Sequence, residues 1–309
     1  MAADPEVRSH RGLPGFYRLE QGLRISSIGI GTYRGKKEPA TDASYLSALR
    51  TAFRGGINLV DTAIIYRRQK SERIVGTAIR EFIEQEHGRR DELVVCTKGG
   101  YVVPENNGDV IDGMHSIAPD FLADQLRRSL RNLGLKTIDV YYLHNPEVQL
   151  RAVSGPEFLD RMRSAFEFLE TAVARGKIRY YGTATWGAYI DRLVSLPDLV
   201  EVAREIAGEG HHFRFVQLPF SLEMQEAVET GVLNAAIELG ITVIASAPLG
   251  QGRLTGDLPH ALQFARSAPG IAAAVVGMSS SRHVEENLAV ASRPPLTRRQ
   301  FERVRSATR

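Results

Sequence analysis

The sequence contains a single cysteine, Cys96, and therefore cannot form an internal disulfide. The same scarcity excludes the usual cysteine-based zinc sites, so no metal site is predicted, and it fits a reduced, cytoplasmic setting. Cys96 lies inside the apolar run LVVCTK. A thiol in such a run is expected to be buried and structural rather than nucleophilic.

Long apolar runs and a strong charge bias are also absent. No run approaches the ~18 residues of a membrane span, and the N-terminal MAADPEVRSHRG lacks the apolar segment of a signal peptide. The net charge is only +3, and basic residues gather only in HGRR (87–90) and at the C-terminus, RRQFERVRSATR. A loop and a solvated helix face explain these better than nucleic-acid binding. Neither a membrane nor a nucleic acid is predicted as a partner.

What the sequence does contain is a repeated alternation of short apolar runs with amphipathic, helix-like segments. Eight such units follow one another, and none is separated from the next by a linker or a low-complexity tract. The apolar runs are IGIGTY (28–33), INLVDTA (57–63), LVVCTK (93–98), IDVYYLH (138–144), IRYYGTAT (178–185), FRFVQLPF (213–220), TVIASAPL (242–249) and AAAVVGM (272–278).

Continuously apolar strands indicate a parallel sheet covered on both faces. Eight strand–helix units favour a closed (β/α)₈ (TIM) barrel over an open sheet. Ser71 is predicted to cap the start of the second helix, and Gly134 the end of the third. FYRLEQGLRISS (16–27) is predicted to form a β-hairpin at the N-terminal end, or bottom, of the barrel. Residues 16–309 are thus predicted to form one domain, preceded by an extension (1–15) that could lack fixed structure.

Four polar residues lie at the ends of three consecutive apolar runs. Asp61 and Tyr66 follow the second run, Lys98 ends the third, and His144 ends the fourth. The carboxyl ends of the strands in a parallel barrel meet on one face, where the active site lies. We therefore predict that these four side chains form one catalytic site.

The four residue types together suit proton transfer to a carbonyl oxygen. An ammonium beside a phenol favours the phenolate, so Lys98 is expected to lower the pKa of Tyr66. Asp61 could pair with Lys98, and His144 could donate a hydrogen bond to the substrate oxygen. Taken one by one, each residue is more often a packing, capping or core residue. Their joint placement favours the catalytic interpretation.

These residues also carry a family resemblance. The segments INLVDTAIIYRRQKSERIVGTAI, VVCTKGG, LRNLGLKTIDVYYLHNPE and GKIRYYGTATW resemble the aldo-keto reductases, and the likeness extends from about residue 23 to about residue 292. It implies a (β/α)₈ barrel that binds NADPH and reduces a small-molecule carbonyl, with Tyr66 as general acid. It also implies cofactor contacts by further residues, namely Asn145 and Gln217 near the carboxamide and Glu286 and Asn287 near the adenine.

The phosphate groups of such a cofactor need a site of their own. No GxGxxG loop follows the first strand, so a Rossmann-type cradle is not supported. In barrels, the loops after strands seven and eight and a nearby helix N-terminus commonly hold phosphates. Here the backbone amides predicted to cradle a pyrophosphate are those of Leu249, Gly250 and Gly252. The side chains predicted to hold a 2′-phosphate are those of Ser279, Ser280 and Arg282. The alternative is that GQG is an ordinary turn and SSSR the capped start of a helix.

The sequence departs from the family pattern around the nicotinamide. Ala184-Thr185 replaces the common Ser-Asn pair, and Ser246 occupies the position of an aromatic residue that usually stacks on the ring. Thr185 and Ser246 stay candidates for cofactor contact. The short segment between residues 256 and 260 suggests an open site. Trp186 could supply an aromatic wall instead.

Three hypotheses follow from these patterns. The first is an NADPH-dependent aldehyde or ketone reductase. The second is an isomerase, dehydratase or cyclase on the same barrel, with the cofactor lost or structural. The third is a non-catalytic subunit, against which the intact set of four residues argues. Substrate identity, direction and oligomeric state, monomer or homo-oligomer, stay open.

Overall fold

The computed structural model of the protein describes residues 13–103 and 114–308. Eight of its strands are β3 (Ile28–Gly31), β4 (Leu59–Asp61), β5 (Val94–Gly99), β6 (Ile138–His144), β7 (Ile178–Ala184), β8 (Phe213–Pro219), β9 (Thr242–Ser246) and β10 (Ile271–Gly277). They are parallel, pair in chain order, and close where β10 pairs with β3. The predicted (β/α)₈ barrel is confirmed.

Helices follow the barrel strands and pack around them. Their bounds are α1 (Pro39–Arg54), α2 (Lys70–Glu84), α3 (Pro119–Leu133), α4 (Gly155–Ala174), α5 (Leu196–Ala207), α6 (Glu226–Glu229), α7 (Val232–Glu238), α8 (Leu258–Ser267), α9 (Ser281–Ala291) and α10 (Arg298–Ala307). The helices bury their apolar faces against the outer face of the barrel in one large core, and a second cluster fills the barrel interior.

Two predicted helix caps have different outcomes. Gly134 ends α3 in the left-handed conformation, with φ of 66°, as predicted. The prediction for Ser71 was wrong, because α2 already begins at Lys70, after Gln69. The Ser71 hydroxyl is buried and donates instead to the carbonyl oxygen of Thr32, at 2.7 Å. It ties the start of α2 to the end of the first barrel strand.

The N-terminal hairpin closes the bottom of the barrel, as predicted. Its strands, β1 (Tyr17–Glu20) and β2 (Leu23–Ser26), are antiparallel. Leu23 and Ile25 are buried in the interior cluster of the barrel. Asn58, just before β4, accepts from the Ser26 amide at 2.8 Å and donates to the Arg24 carbonyl at 2.7 Å. The hairpin leaves the opposite, carboxyl-terminal end for the site.

Of the predicted N-terminal extension, residues 1–12 lie outside the described residues. Leu13 is partly buried and packs against the core, and its carbonyl accepts from the Phe16 amide at 3.1 Å.

Candidate active site

The structure brings the four predicted catalytic residues together. Lys98 projects from β5, and its ammonium donates to both carboxylate oxygens of Asp61, at the end of β4, at 2.7 and 2.6 Å. A third bond, of 2.9 Å, goes to the carbonyl oxygen of Thr62. The Lys98 and Asp61 side chains are 1% and 8% exposed. The pair is therefore a rigid charged group in the floor of the site.

Tyr66 lies in the loop after β4, and the Lys98 nitrogen is 4.9 Å from the centre of its ring. Burial raises the pKa of Tyr66, and the charge of Lys98 offsets part of that rise. The prediction for Lys98 was therefore right in the sign of its effect, but the net pKa of Tyr66 lies above its ordinary value. Burial lowers the pKa of Lys98, yet Asp61 and Tyr66 outweigh it and the pKa is raised overall. At neutral pH the pair is a protonated phenol beside an ammonium.

His144 ends β6, and its ring packs edge-on against Tyr66, with ring centres 5.8 Å apart. Burial, then the charge of Lys98 and the neighbouring His115, keeps the pKa of His144 well below its ordinary value. The imidazole is thus neutral. Its Nδ1 is buried without a hydrogen-bond partner in the described part of the chain. Packing, rather than a hydrogen bond at Nδ1, fixes the orientation of the ring.

Two predicted carboxamide contacts also take part in this network. Gln217, in β8, donates from Nε2 to Asp61 at 2.8 Å. Asn145, which adopts a left-handed conformation with φ of 50°, donates from Nδ2 to the Tyr101 hydroxyl at 2.9 Å. One hydrogen-bonding group of each amide is therefore engaged within the protein.

A cavity of about 700 Å³ lies at the carboxyl-terminal end of the barrel. Its walls include Asp61, Tyr66 and His144, while Lys98 lies beneath them. The predicted cofactor residues that line it are Asn145, Thr185, Gln217, Ser246, Leu249, Gly252 and Ser279. The predicted residues that are not among its described lining are Gly250, Ser280, Arg282, Glu286 and Asn287.

The loop after β10 and the start of α9 show why Ser280, Arg282 and Glu286 do not line the cavity. Ser280 is the N-cap of α9 and accepts from the His283 amide, so SSSR does form a capped helix start. Arg282 and Glu286 pair with each other at 2.8 Å, one turn apart, with side chains 82% and 54% exposed. The pair lies on the outer surface, and His283 lines the cavity instead.

Other lining residues were missed by the sequence interpretation. Tyr33 and Arg34 follow β3, and Arg67 follows Tyr66. Arg34 donates to the carbonyl oxygen of Gln251, in the loop after β9. The two loops thus meet at the cavity despite the short segment after β9. The sequence could have indicated these lining residues by their position, since Tyr33, Arg34 and Arg67 lie in loops that follow barrel strands.

Two further findings concern the described residues as a whole. Within residues 13–103 and 114–308, no three His, Cys, Asp or Glu side chains cluster in a way that could hold a metal ion. In the same residues, no helix combines the length and the apolar character needed to cross a membrane.

Comparisons with known proteins agree with this geometry. The model of the aldo/keto reductase family matches residues 27–260. An NADP(+) aldo-keto reductase of Schizosaccharomyces pombe is 31% identical over 254 residues, which cover 79% of this chain and 66% of that protein, just under two thirds. The NADH-specific methylglyoxal reductase of Escherichia coli is 28% identical over 76% of this chain and 67% of its own length.

A solved structure extends the likeness to the fold. The aldo/keto reductase of Klebsiella pneumoniae, in complex with NADP and acetate, superposes with a TM-score of 0.71 at 23% identity, over 96% of each chain. The match to the family model, supported by the shared fold, leads to one conclusion. The chain belongs to the aldo/keto reductase family.

Proposed function

We propose that the protein is an NADPH-dependent oxidoreductase that reduces an aldehyde or ketone to an alcohol. The observation that carries this proposal is the buried Asp61–Lys98 pair beside the protonated Tyr66 and the neutral His144. The S. pombe relative is named for NADP(+), and the K. pneumoniae structure holds NADP.

The residues of the cavity fit a nicotinamide dinucleotide. A volume of about 700 Å³ is in the range of small-molecule and cofactor sites. We assign the pyrophosphate to the backbone around Leu249 and Gly252, and the phosphate end to Ser279 and His283. Asn145, Thr185, Gln217 and Ser246 would lie around the nicotinamide. When bound, the reduced nicotinamide supplies the hydride to the carbonyl carbon.

The protein's own residues supply the proton and the orientation. His144 donates a hydrogen bond to the carbonyl oxygen and holds it beside Tyr66. The Tyr66 phenol transfers its proton to that oxygen as negative charge develops there. Lys98 stabilises the resulting phenolate, and Asp61 keeps Lys98 charged and in place. The products are the alcohol and the oxidised cofactor.

The substitution Tyr66→Phe tests the role of the phenol. We expect carbonyl turnover to fall by about 10²–10⁴-fold, the range of general acid catalysis, because the ring is kept but its proton is lost. NADPH affinity, followed by nicotinamide fluorescence, should stay nearly unchanged. Tyr180→Phe is the control, since its hydroxyl bonds to Gln21 at the barrel bottom. Retained turnover in Tyr66→Phe would disprove the assignment of the proton donor.

The second candidate function is non-redox acid–base chemistry, with the cofactor lost or structural. It is favoured by Ala184, Thr185 and Ser246, which line the cavity in place of the usual carboxamide and stacking partners. Titration with NADPH and with NADH tests the reductase proposal, since that proposal requires the cofactor and the second candidate does not. If neither binds below about 1 mM, the reductase proposal fails and the second candidate replaces it.

A further inference from the structure

Tyr101 occupies a defined place in the cavity wall. The chain leaves β5 through Gly100 and returns in an antiparallel direction, so that the Val102 amide donates to Met114 and the Ser116 amide to Gly100, at 2.8 and 2.9 Å. Tyr101 lies within this short ladder and lines the cavity. Its carbonyl accepts from the Gln125 side chain at 2.6 Å. The backbone of Tyr101 is therefore held on a rigid element rather than on a free loop.

The ring of Tyr101 packs against two histidine rings. It packs edge-on against His144 and against His115, with ring centres 5.0 Å apart in both cases and interplanar angles of 85° and 81°. Tyr66 contacts the same His144 ring. Both phenols thus border the imidazole that is expected to bind the carbonyl oxygen.

His115 gives this arrangement a fixed support. Its Nε2 lies 2.8 Å from the His144 carbonyl oxygen, which can only accept, so Nε2 carries the proton. Its Nδ1 then accepts from the Gln149 amide at 2.8 Å, and the Gln149 oxygen accepts from Arg161 at 2.7 Å. His115 is fully buried, and burial lowers its pKa. The support beneath Tyr101 is neutral and fully hydrogen-bonded.

The hydroxyl of Tyr101 is oriented by Asn145. It accepts from Asn145 Nδ2 at 2.9 Å, and within the described chain no residue accepts its proton. A phenol has one proton and can both accept and donate. Because Asn145 occupies the accepting side, the proton of Tyr101 is available to a group in the cavity.

We propose that Tyr101 is a specificity-determining residue that donates a hydrogen bond to a second substrate oxygen, on the carbon next to the carbonyl carbon. The inference rests on the proposed reductase function. The preferred substrates are then carbonyl compounds with an adjacent hydroxyl or carbonyl oxygen. His144 and Tyr66 hold the reacting oxygen, while Tyr101, whose ring also packs against His144, holds its neighbour.

The test compares two aldehydes that differ only in that oxygen, 2-hydroxypropanal and propanal, each with saturating NADPH. The readout is the ratio of their kcat/KM values on one and the same protein, so any general loss of activity or folding cancels. We expect Tyr101→Phe to reduce the ratio by about fivefold, the factor that one neutral hydrogen bond provides. Tyr33→Phe is the matched control, since this phenol also lines the cavity but contacts Tyr66 rather than His144. It should leave the ratio unchanged.

The outcomes distinguish the inference from the function on which it rests. A ratio that falls in Tyr101→Phe alone supports the inference. Should the ratio be the same in wild type and Tyr101→Phe, or fall equally in Tyr33→Phe, the role of Tyr101 is overturned while the reductase function stands. If wild type binds NADPH or NADH but reduces neither aldehyde, the inference is overturned. If neither cofactor binds, the proposed function fails, and the inference fails with it.

Discussion

Glu147, two residues after Asn145, shows how a single side chain can oppose the stability of the fold. Its Oε1 accepts from the Trp186 amide at 3.4 Å. Its Oε2 is buried and has no hydrogen-bond partner in residues 13–103 and 114–308. Burial raises the pKa of Glu147 to about 7. The charge of the carboxylate is therefore only partly compensated at the edge of the cavity, where Trp186 forms part of the wall.

The substitution Glu147→Gln should stabilise the protein at high pH. A raised pKa means that the folded state binds this proton more tightly than the unfolded chain, so the free energy of unfolding falls as the pH rises from about 4.5 to about 7. Glutamine has the same shape and no charge. We expect a gain on the order of 1–3 kcal/mol at pH 8 and almost none at pH 5.

Urea unfolding of both proteins at the two pH values measures this difference. Glu238→Gln, on the exposed side of α7, is the control and should show no comparable change between the two pH values. An equal gain from Glu147→Gln at pH 5 and pH 8 would contradict the role given to its charge.

At the scale of elements, the barrel depends on close contact between β7 and β8. A Cβ atom on Gly182 would lie 1.8 Å from the carbonyl oxygen of Phe215. The register of the two strands shifts between Tyr181 and Gly182. The obstacle is backbone within a closed sheet, so it cannot move aside as a flexible side chain could. Only glycine fits here without a displacement of the strands that carry Ala184 and Gln217.

Gly182→Ala should therefore destabilise the protein by about 3 kcal/mol, the upper end of the usual range for overpacking. Thermal or urea unfolding measures the loss. Gly155→Ala, in the first turn of α4, is the control because a Cβ atom added there would meet no other atom within 4 Å. It should change stability by less than about 1 kcal/mol, in the stabilising direction. Similar effects from both substitutions would argue against a steric origin.

At the scale of the whole molecule, Arg266 in α8 connects distant parts of the chain. Its guanidinium is fully buried and donates to Ser27 at 2.8 Å, to Gly15 at 3.3 Å and to Arg293 at 3.2 Å. Burial, then the charge of Arg18, lowers its pKa to about 10, so it stays charged at neutral pH. The residue joins the start of the domain to the segment after α9.

Replacing Arg266 with methionine should lower the free energy of unfolding by about 3 kcal/mol, because several buried carbonyl and hydroxyl groups lose their donor. Differential scanning calorimetry measures the change. The control is Arg299→Met, at an exposed position of α10, with an expected effect within about 0.5 kcal/mol. A loss no larger than that of Arg299→Met would contradict the role given to the hydrogen bonds of Arg266.

The sequence by itself determined the architecture and the grouping of the four predicted catalytic residues. Continuously apolar runs indicate strands that are buried on both faces of a parallel sheet. Eight such runs, each followed by a helix, indicate that this sheet closes into a barrel. Polar residues directly after such runs must emerge at the carboxyl-terminal face, so Asp61, Lys98 and His144 were predictable from position alone. Tyr66 followed from the short distance to Asp61 along the chain.

Only the tertiary structure decided how these groups behave. The net pKa of Tyr66 depends on how deeply the ring is buried, which no local pattern encodes. Arg282 pairs with Glu286, one helical turn away, and does not line the cavity. His283 lines the cavity instead. The bond between Asn145 and Tyr101 joins residues 44 positions apart. Such partnerships arise from strand register and burial, and these exist only once the barrel has closed.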